Sequence, residues 1–315
     1  MWIVFMILAL LIVLSAALII ARWAFGQAFA PPRGIDPLAL PEGEQYQRER
    51  VRMEKMIAEM AAIPYTEIRM TARDGTPLFA RYYAVREGAP LQIQMHGYHG
   101  SAIRDFCGGG KLAIEAGHNI LIVDQRAQGQ SGGRAITFGV LERFDCLDWI
   151  NYANDRFAPP CILLYGVSMG AATVLMANGL DLPANVRAVV ADCPYSAPYA
   201  IIARVCGERG IPQKLAMPFV RLGGILWGGF DLCSAAPVES VMSAKVPMLI
   251  FHGEDDRFVP CEMSREIARH AGNHCRLETF PNAGHGLSFI EDFPRYAAAI
   301  EQFLADCGVE TQKTT

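Results

Sequence analysis

The sequence lacks several signatures that would point its interpretation elsewhere. It carries no basic cluster, and a net charge of −4 offers a polyanion nothing to bind, which argues against nucleic acid as a partner. Its nine cysteines, at 107, 146, 161, 193, 206, 233, 261, 275 and 307, never fall in a CxxC spacing. Ribbon-type zinc sites and thioredoxin-like redox motifs are thereby set aside. An odd number of cysteines in a chain of 315 residues reads as buried free thiols rather than a disulfide framework, and so as a reducing compartment. There is no HExxH motif and no internal repeat. No lysine or arginine precedes residue 22.

That last absence coincides with the most conspicuous segment present. From Trp2 to Ala21 the only polar side chain is Ser15 and there is no charge. About 20 such residues rise about 30 Å as a helix, which matches a bilayer core. A cleaved signal peptide is the alternative, and Ala28-Phe29-Ala30 fits a small-x-small cleavage site. The missing basic n-region, the length of the run and Pro31 directly after the cut all favour an uncleaved anchor. Arg22 and Arg33 follow the run and none precedes it, so the positive-inside rule leaves the remainder of the chain in the cytoplasm. The expected organisation is an anchor over 1–22, a linker and amphipathic helix over 23–64, and an α/β domain over 65–315.

After the Pro-rich linker comes a charged stretch, Glu42 to Ala62, with Val51, Met53, Met56, Ile57 and Met60 at helical spacing. This helix is expected to pack on its own domain rather than lie on the membrane. Around Asp74-Gly75 two strands, Thr66–Ala72 and Leu78–Val85, signal a two-residue hairpin. Strands are then expected at Leu91–Met95, Asn119–Asp124, Cys161–Tyr165, Val186–Ala191, Val246–Phe251 and Arg276–Phe280. Helices are expected between them, around 103–116, 138–155, 169–179, 261–271 and 290–306. Such a rhythm implies a mostly parallel central sheet with helices on both faces. The interval of about 196–235 has no strand and is rich in Met, Phe, Leu and Trp, which reads as an inserted helical lid.

The strongest chemical signal is Gly166-Val167-Ser168-Met169-Gly170, set between a strand and a helix. A sharp turn there lifts the serine above the sheet, and the flanking glycines let the chain pass closely. A serine hydroxyl needs a base, and His285, in a loop after the last expected strand, can deliver one to the carboxyl edge of the sheet. His118, His270 and His274 are expected at the surface. Asp255 and Asp256 after the preceding strand, and Asp192 after an earlier one, qualify by type as the acid that orients the histidine. The N–H of Met169 is one candidate for an oxyanion hole, and the loop Met95-His96-Gly97-Tyr98-His99-Gly100 is placed to supply a second. His96 and His99 have no third clustered ligand, so no metal and no cofactor is expected.

Taken together, His96-Gly97-Tyr98, Gly166-x-Ser168-x-Gly170, His252-Gly253-x-x-Asp256-x-x-Val259-Pro260 and Gly284-His285 resemble the α/β-hydrolase superfamily over roughly 65–304. Within it, the chain resembles the branch of serine aminopeptidase-like proteins, monoacylglycerol lipases and membrane-anchored bacterial esterases. The resemblance implies Ser168 as nucleophile, Asp256 as acid, His285 as base, and the amides of Tyr98 and Met169 as the oxyanion hole. It also implies a structural loop at Asp124-Gln125-Arg126-Ala127-Gln128-Gly129-Gln130-Ser131, where Ala127 replaces the family's glycine.

The expected activity is hydrolysis of a carboxylic ester with an apolar acyl group, or of a small lipid-like ester. A serine aminopeptidase or amidase is the alternative enzyme, with Glu208 or Asp231 in the lid to hold a substrate ammonium. A catalytically silent, membrane-bound binding module is the alternative of another class.

Overall fold

A computed structural model describes residues 1–32, 34, 36–41 and 43–309. Arg33, one of the two residues on which the orientation rests, lies outside the described residues, as does Glu42 at the head of the charged stretch. The chain opens with α1 (Trp2–Ala28), α2 (Glu44–Arg48) and α3 (Arg50–Ala61), and then forms the hairpin of β1 (Thr66–Thr71) and β2 (Pro77–Tyr83). Next come β3 (Leu91–Met95), α4 (Ala102–Asp105), α5 (Gly109–Glu115), β4 (Asn119–Asp124), α6 (Glu142–Phe157), β5 (Ile162–Val167), α7 (Met169–Asn178) and β6 (Val186–Asp192). The strandless interval holds α8 (Pro198–Glu208), α9 (Gln213–Gly223), a π-turn at Gly224–Gly228 and α10 (Pro237–Ser240). The chain finishes with β7 (Met248–Gly253), α11 (Cys261–Ala271), β8 (Cys275–Phe280), α12 (Ser288–Glu291) and α13 (Phe293–Asp306).

The strands make one sheet in the order β1-β2-β4-β3-β5-β6-β7-β8. β2 runs antiparallel to both its neighbours, and β3 to β8 are mutually parallel. The central strands are apolar on both sides because the period-two alternation feeds two cores. Leu121, Val123, Leu164 and Ile250 join the core beneath α6, α7 and α11. Ile120, Ile122, Leu163 and Phe251 join the one beneath α3, α5 and α13. Every residue of α7 is buried, which explains why its sequence is apolar on all sides.

The eight strands fall where the sequence places them, with ends moved by roughly two residues, the usual ambiguity of element boundaries. The hairpin does not close on two residues. Ala72 N–H bonds to the Thr76 carbonyl at 2.8 Å, and Gly75 takes a positive φ of 86°, leaving a three-residue loop. The single helix expected over 103–116 is two helices, broken before a run of glycines. At Gly108 a Cβ would lie 2.5 Å from the Phe289 ring, so the close packing needs glycine. On α3 the packed side chains are Met53, Ile57 and Met60, while Val51 points outward.

The largest departure is at the N-terminus. α1 runs on past residue 22 into what reads as linker, and its end is built into the domain. Ala21 and Phe29 are 0% exposed, and Phe29 packs edge-on against Phe138 and Phe230.

Ala127 holds φ of 60° in the buried loop after β4, the left-handed conformation a glycine would adopt freely. Arg126 beside it is fixed by Asp145 at 2.5 and 2.6 Å and by Asp74 at 2.9 Å. The surroundings therefore impose the conformation on Ala127. Ala127→Gly should raise stability by about 1 kcal/mol by removing that strain. Denaturant unfolding of the detergent-solubilised chain measures it, and a lower midpoint would contradict this account of the loop.

Candidate active site

Ser168 stands at the turn between β5 and α7 with φ of 54° and ψ of −114°. On either side of it the backbone packs too closely for any residue but glycine. A Cβ on Gly170 would come within 1.7 Å of the Met95 carbonyl oxygen, and one on Gly166 within 2.2 Å of the Gly170 carbonyl oxygen. The Ser168 N–H donates to the Asp192 carbonyl at 2.8 Å, which locks the turn to the end of β6.

Across the carboxyl edge of the sheet, His285 arrives on the loop after β8. Its Nε2 lies 2.9 Å from Ser168 Oγ, and its Nδ1 lies 2.6 Å from Asp256 Oδ2. Asp256 Oδ1 accepts from the N–H groups of Phe258 at 2.9 Å and Val259 at 2.8 Å. The structure thus brings Ser168, His285 and Asp256 into one hydrogen-bonded chain. Asp255 is exposed, and Asp192 accepts instead from the Tyr296 hydroxyl at 2.9 Å. Burial pushes the Asp192 carboxyl up to about 6.

Burial also pushes the Asp256 carboxyl up, but the imidazoles of His285 and His252 outweigh it and hold the group well below the usual carboxylate range. Burial alone would push the His285 pKa down; the Asp256 carboxylate reverses that and holds it above the ordinary 6.5. A hydroxyl hydrogen-bonded to an imidazole that a buried carboxylate orients can act as a nucleophile.

The loop after β3 reaches the serine from the other side. A Cβ on Gly97 would lie 3.4 Å from Ser168 Cβ. Asp105 Oδ2 accepts the Gly97 N–H at 2.8 Å, while Arg104 Nε donates to Asp105 Oδ1 at 2.9 Å. His96 is not free for a metal: Nδ1 bonds to the Gly97 carbonyl at 2.8 Å and Nε2 accepts the Gln125 N–H at 3.0 Å. His99 stacks on Tyr98. Among the described residues, one group could bring three ligand atoms together, Cys193, Asp256 and His285, and two of these already belong to the hydrogen-bonded chain.

Several supporting roles escape sequence reasoning. His252 bonds to Val259 O at 2.8 Å and Ser264 Oγ at 2.6 Å, bracing the Asp256 loop; its spacing of four from Asp256 is the signal. Cys193 Sγ sits 4.0 Å from His285 Nε2. His118, expected at the surface, is fully buried with Nδ1 3.0 Å from Gln92 Nε2. From the segment before the domain, Tyr46 donates to the His285 carbonyl at 2.9 Å and Gln45 Oε1 accepts the His285 N–H at 3.4 Å. Nothing in the sequence pattern of 44–48 announces that clamp.

The site opens into a cavity of about 480 Å³ whose lining is apolar apart from a few groups, among them Ser168, Gln27 and Arg209. Glu208 and Asp231 do not line it; they pair with Arg204 at 2.8 Å and Arg221 at 2.7 Å.

A mostly parallel sheet with a strained serine at its switch-point edge suits an α/β-hydrolase, and the pattern of the alpha/beta hydrolase family matches residues 95–300. The chain belongs to that family. It is 25% identical to the Bacillus subtilis protein YqkD over 64% of this chain and 67% of that one. It is also 25% identical to the lysophosphatidylserine lipase ABHD12 of Danio rerio, over 57% of this chain and 45% of that one. The chain thus spans about half to two thirds of the length of these curated relatives. In fold it is similar to the Pyrococcus furiosus esterase Pf2001, with a TM-score of 0.63 at 21% identity, covering 89% of this chain and 98% of the other.

The clamp from α2 is testable. Tyr46→Phe leaves the His285 carbonyl without its donor, worth about 1 kcal/mol. Labelling of the protein by a small fluorophosphonate should slow about fivefold, and an unchanged rate would show that the histidine loop holds itself.

Proposed function

We propose that this chain is a membrane-anchored serine hydrolase that cleaves carboxylic esters of apolar acyl groups through an acyl-enzyme. The observation that carries the reading is the Ser168–His285–Asp256 chain of hydrogen bonds at 2.9 and 2.6 Å, opening into an apolar cavity. Ser168 Oγ attacks the ester carbonyl while His285 Nε2 takes its proton. The amides of Tyr98 and Met169 hold the oxyanion, and Asp256 stabilises the imidazolium. As the carbon–oxygen bond to the alcohol breaks, His285 returns the proton to the leaving alkoxide. Water, deprotonated by His285, then releases the acid and restores Ser168.

Ester is favoured over amide by what lines the cavity. An aminopeptidase needs a carboxylate for the substrate ammonium, and both acids suited by sequence are already paired with arginines away from it. The name of the Danio rerio relative, a lysophosphatidylserine lipase, also favours a lipid-like ester. α1, the one helix among the described residues long and apolar enough to cross a membrane, serves as the anchor, and Arg22 sets the domain on the cytoplasmic side.

Ser168→Ala should abolish both fluorophosphonate labelling and ester turnover. Asp256→Asn should lower kcat roughly 10⁴-fold and Asp192→Asn far less. Near-normal turnover in Ser168→Ala would end the proposal. The base must be neutral to accept a proton, so activity falls as pH drops through the His285 pKa. The acid limb of kcat/KM should therefore centre above 6.5 in the wild type. Asp256→Asn removes the largest influence that opposes burial and leaves the weaker ones of Asp192 and Asp105, so the residual activity should show that limb at lower pH. A limb that stays put would mean the carboxylate does not set the base.

A further inference from the structure

At 1.5 Å per residue, the stretch Trp2 to Ala21 fills a hydrocarbon core about 30 Å thick. The rest of α1, Arg22 to Ala28, then stands at the depth of the lipid headgroups, and this is the part that docks on the domain. A Cβ on Gly223 would lie 2.6 Å from the Ala21 carbonyl oxygen, so α9 and α1 meet backbone to backbone. Phe25 packs on Trp227 with ring centroids 6.5 Å apart, and Arg22 lies over both rings. The Tyr98 hydroxyl donates to the Ala28 carbonyl at 3.1 Å, tying the end of α1 to the loop beside Ser168.

The same stretch of α1 lines the cavity. Ile20, Trp23, Ala24 and Gln27 form one side, Leu215 and Phe219 of α9 lie on another, and Ser168 belongs to the same cavity. Two of its large apolar lining side chains are left exposed: Trp23 is 59% and Leu215 68% exposed. Such a cluster is costly in water at about 25 cal/mol per Å². Here it continues the lipid-facing surface of α1, and tryptophan favours the interfacial depth that Trp23 occupies.

We propose that α1 is a wall of the acyl site as well as a tether. The substrate's chain enters sideways from the leaflet between Trp23 and Leu215 and lies against α1 with its carbonyl at Ser168. Trp23 and Ala24 are then specificity-determining residues. This rests on the hydrolase reading and names where its substrate comes from.

The test uses the full chain in phosphatidylcholine vesicles with p-nitrophenyl butyrate and palmitate. Trp23→Ala removes part of the wall and Ala24→Phe fills the cavity. Each should lower the palmitate-to-butyrate ratio of kcat/KM by roughly tenfold or more, the usual scale of discrimination in an apolar pocket. Ratios equal to wild type in both variants would overturn the proposal. A second measurement covers variants that fail to fold and separates binding from turnover: a diazirine-bearing palmitamide photolysed with the wild-type protein. Label on Ala24 and Val220, both buried, supports the wall. Label confined to the lipid-facing residues 3–19 overturns it. If wild type turns over neither ester, the hydrolase reading fails, and the crosslink alone decides the wall.

Discussion

Gly170 has no room for a side chain, and much of the molecule hangs on that fact. The first turn of α7 presses on the Met95 carbonyl, where a single added carbon would stand 1.7 Å from oxygen. This close approach accompanies the turn at which Ser168 holds φ of 54°, and Gly97 of the loop after β3 lies against the serine. Strain of this kind persists only where the surroundings over-determine it. Here the surroundings are the ends of β3, β5 and β6, fastened by the bond from Ser168 N–H to Asp192 O.

Around that turn the molecule solves an electrostatic problem. A buried carboxylate is costly unless it is fully hydrogen-bonded. Asp256 takes two backbone N–H groups on one oxygen and His285 on the other, with His252 Nε2 only 3.3 Å away. The result is a carboxylate that stays ionised and an imidazole fixed in orientation with its Nε2 toward the serine. Gln45 and Tyr46 hold the backbone of that histidine from the segment between α1 and β1, so that segment is part of the site's support.

What the sequence makes legible follows from how local the constraint is. The strands are visible because each is a short apolar run bounded by turn residues. The serine turn is visible because two glycines must flank it. Asp256 is separable from Asp255 in the structure because adjacent side chains leave the loop in different directions, which spacing alone does not resolve. The pieces that escape reading are long-range: Tyr46 meets His285 across 239 positions, and no local pattern encodes that meeting. His118 is misread for a related reason, since a histidine at a helix end looks solvated until Gln92 on β3 is placed beside it. The apolar run misleads most. Its composition suits lipid so well that nothing in it reveals that Ala21, at its end, and Ala24, Phe25 and Phe29 just beyond it are protein core.

The apolar helix α1, the cavity and the serine turn form one continuous structure, since residues of α1 and Ser168 line the same cavity. The proposed mechanism requires Ser168 to carry an acyl group during turnover. Acid-quenching the enzyme in the steady state with p-nitrophenyl palmitate, and mapping the adduct by peptide mass spectrometry, tests this directly. The account predicts a palmitoyl mass added to the peptide bearing Ser168, absent in Ser168→Ala. A palmitoyl group on Cys193, whose sulfur lies 4.0 Å from the same imidazole nitrogen, or turnover with no adduct on Ser168, would contradict it.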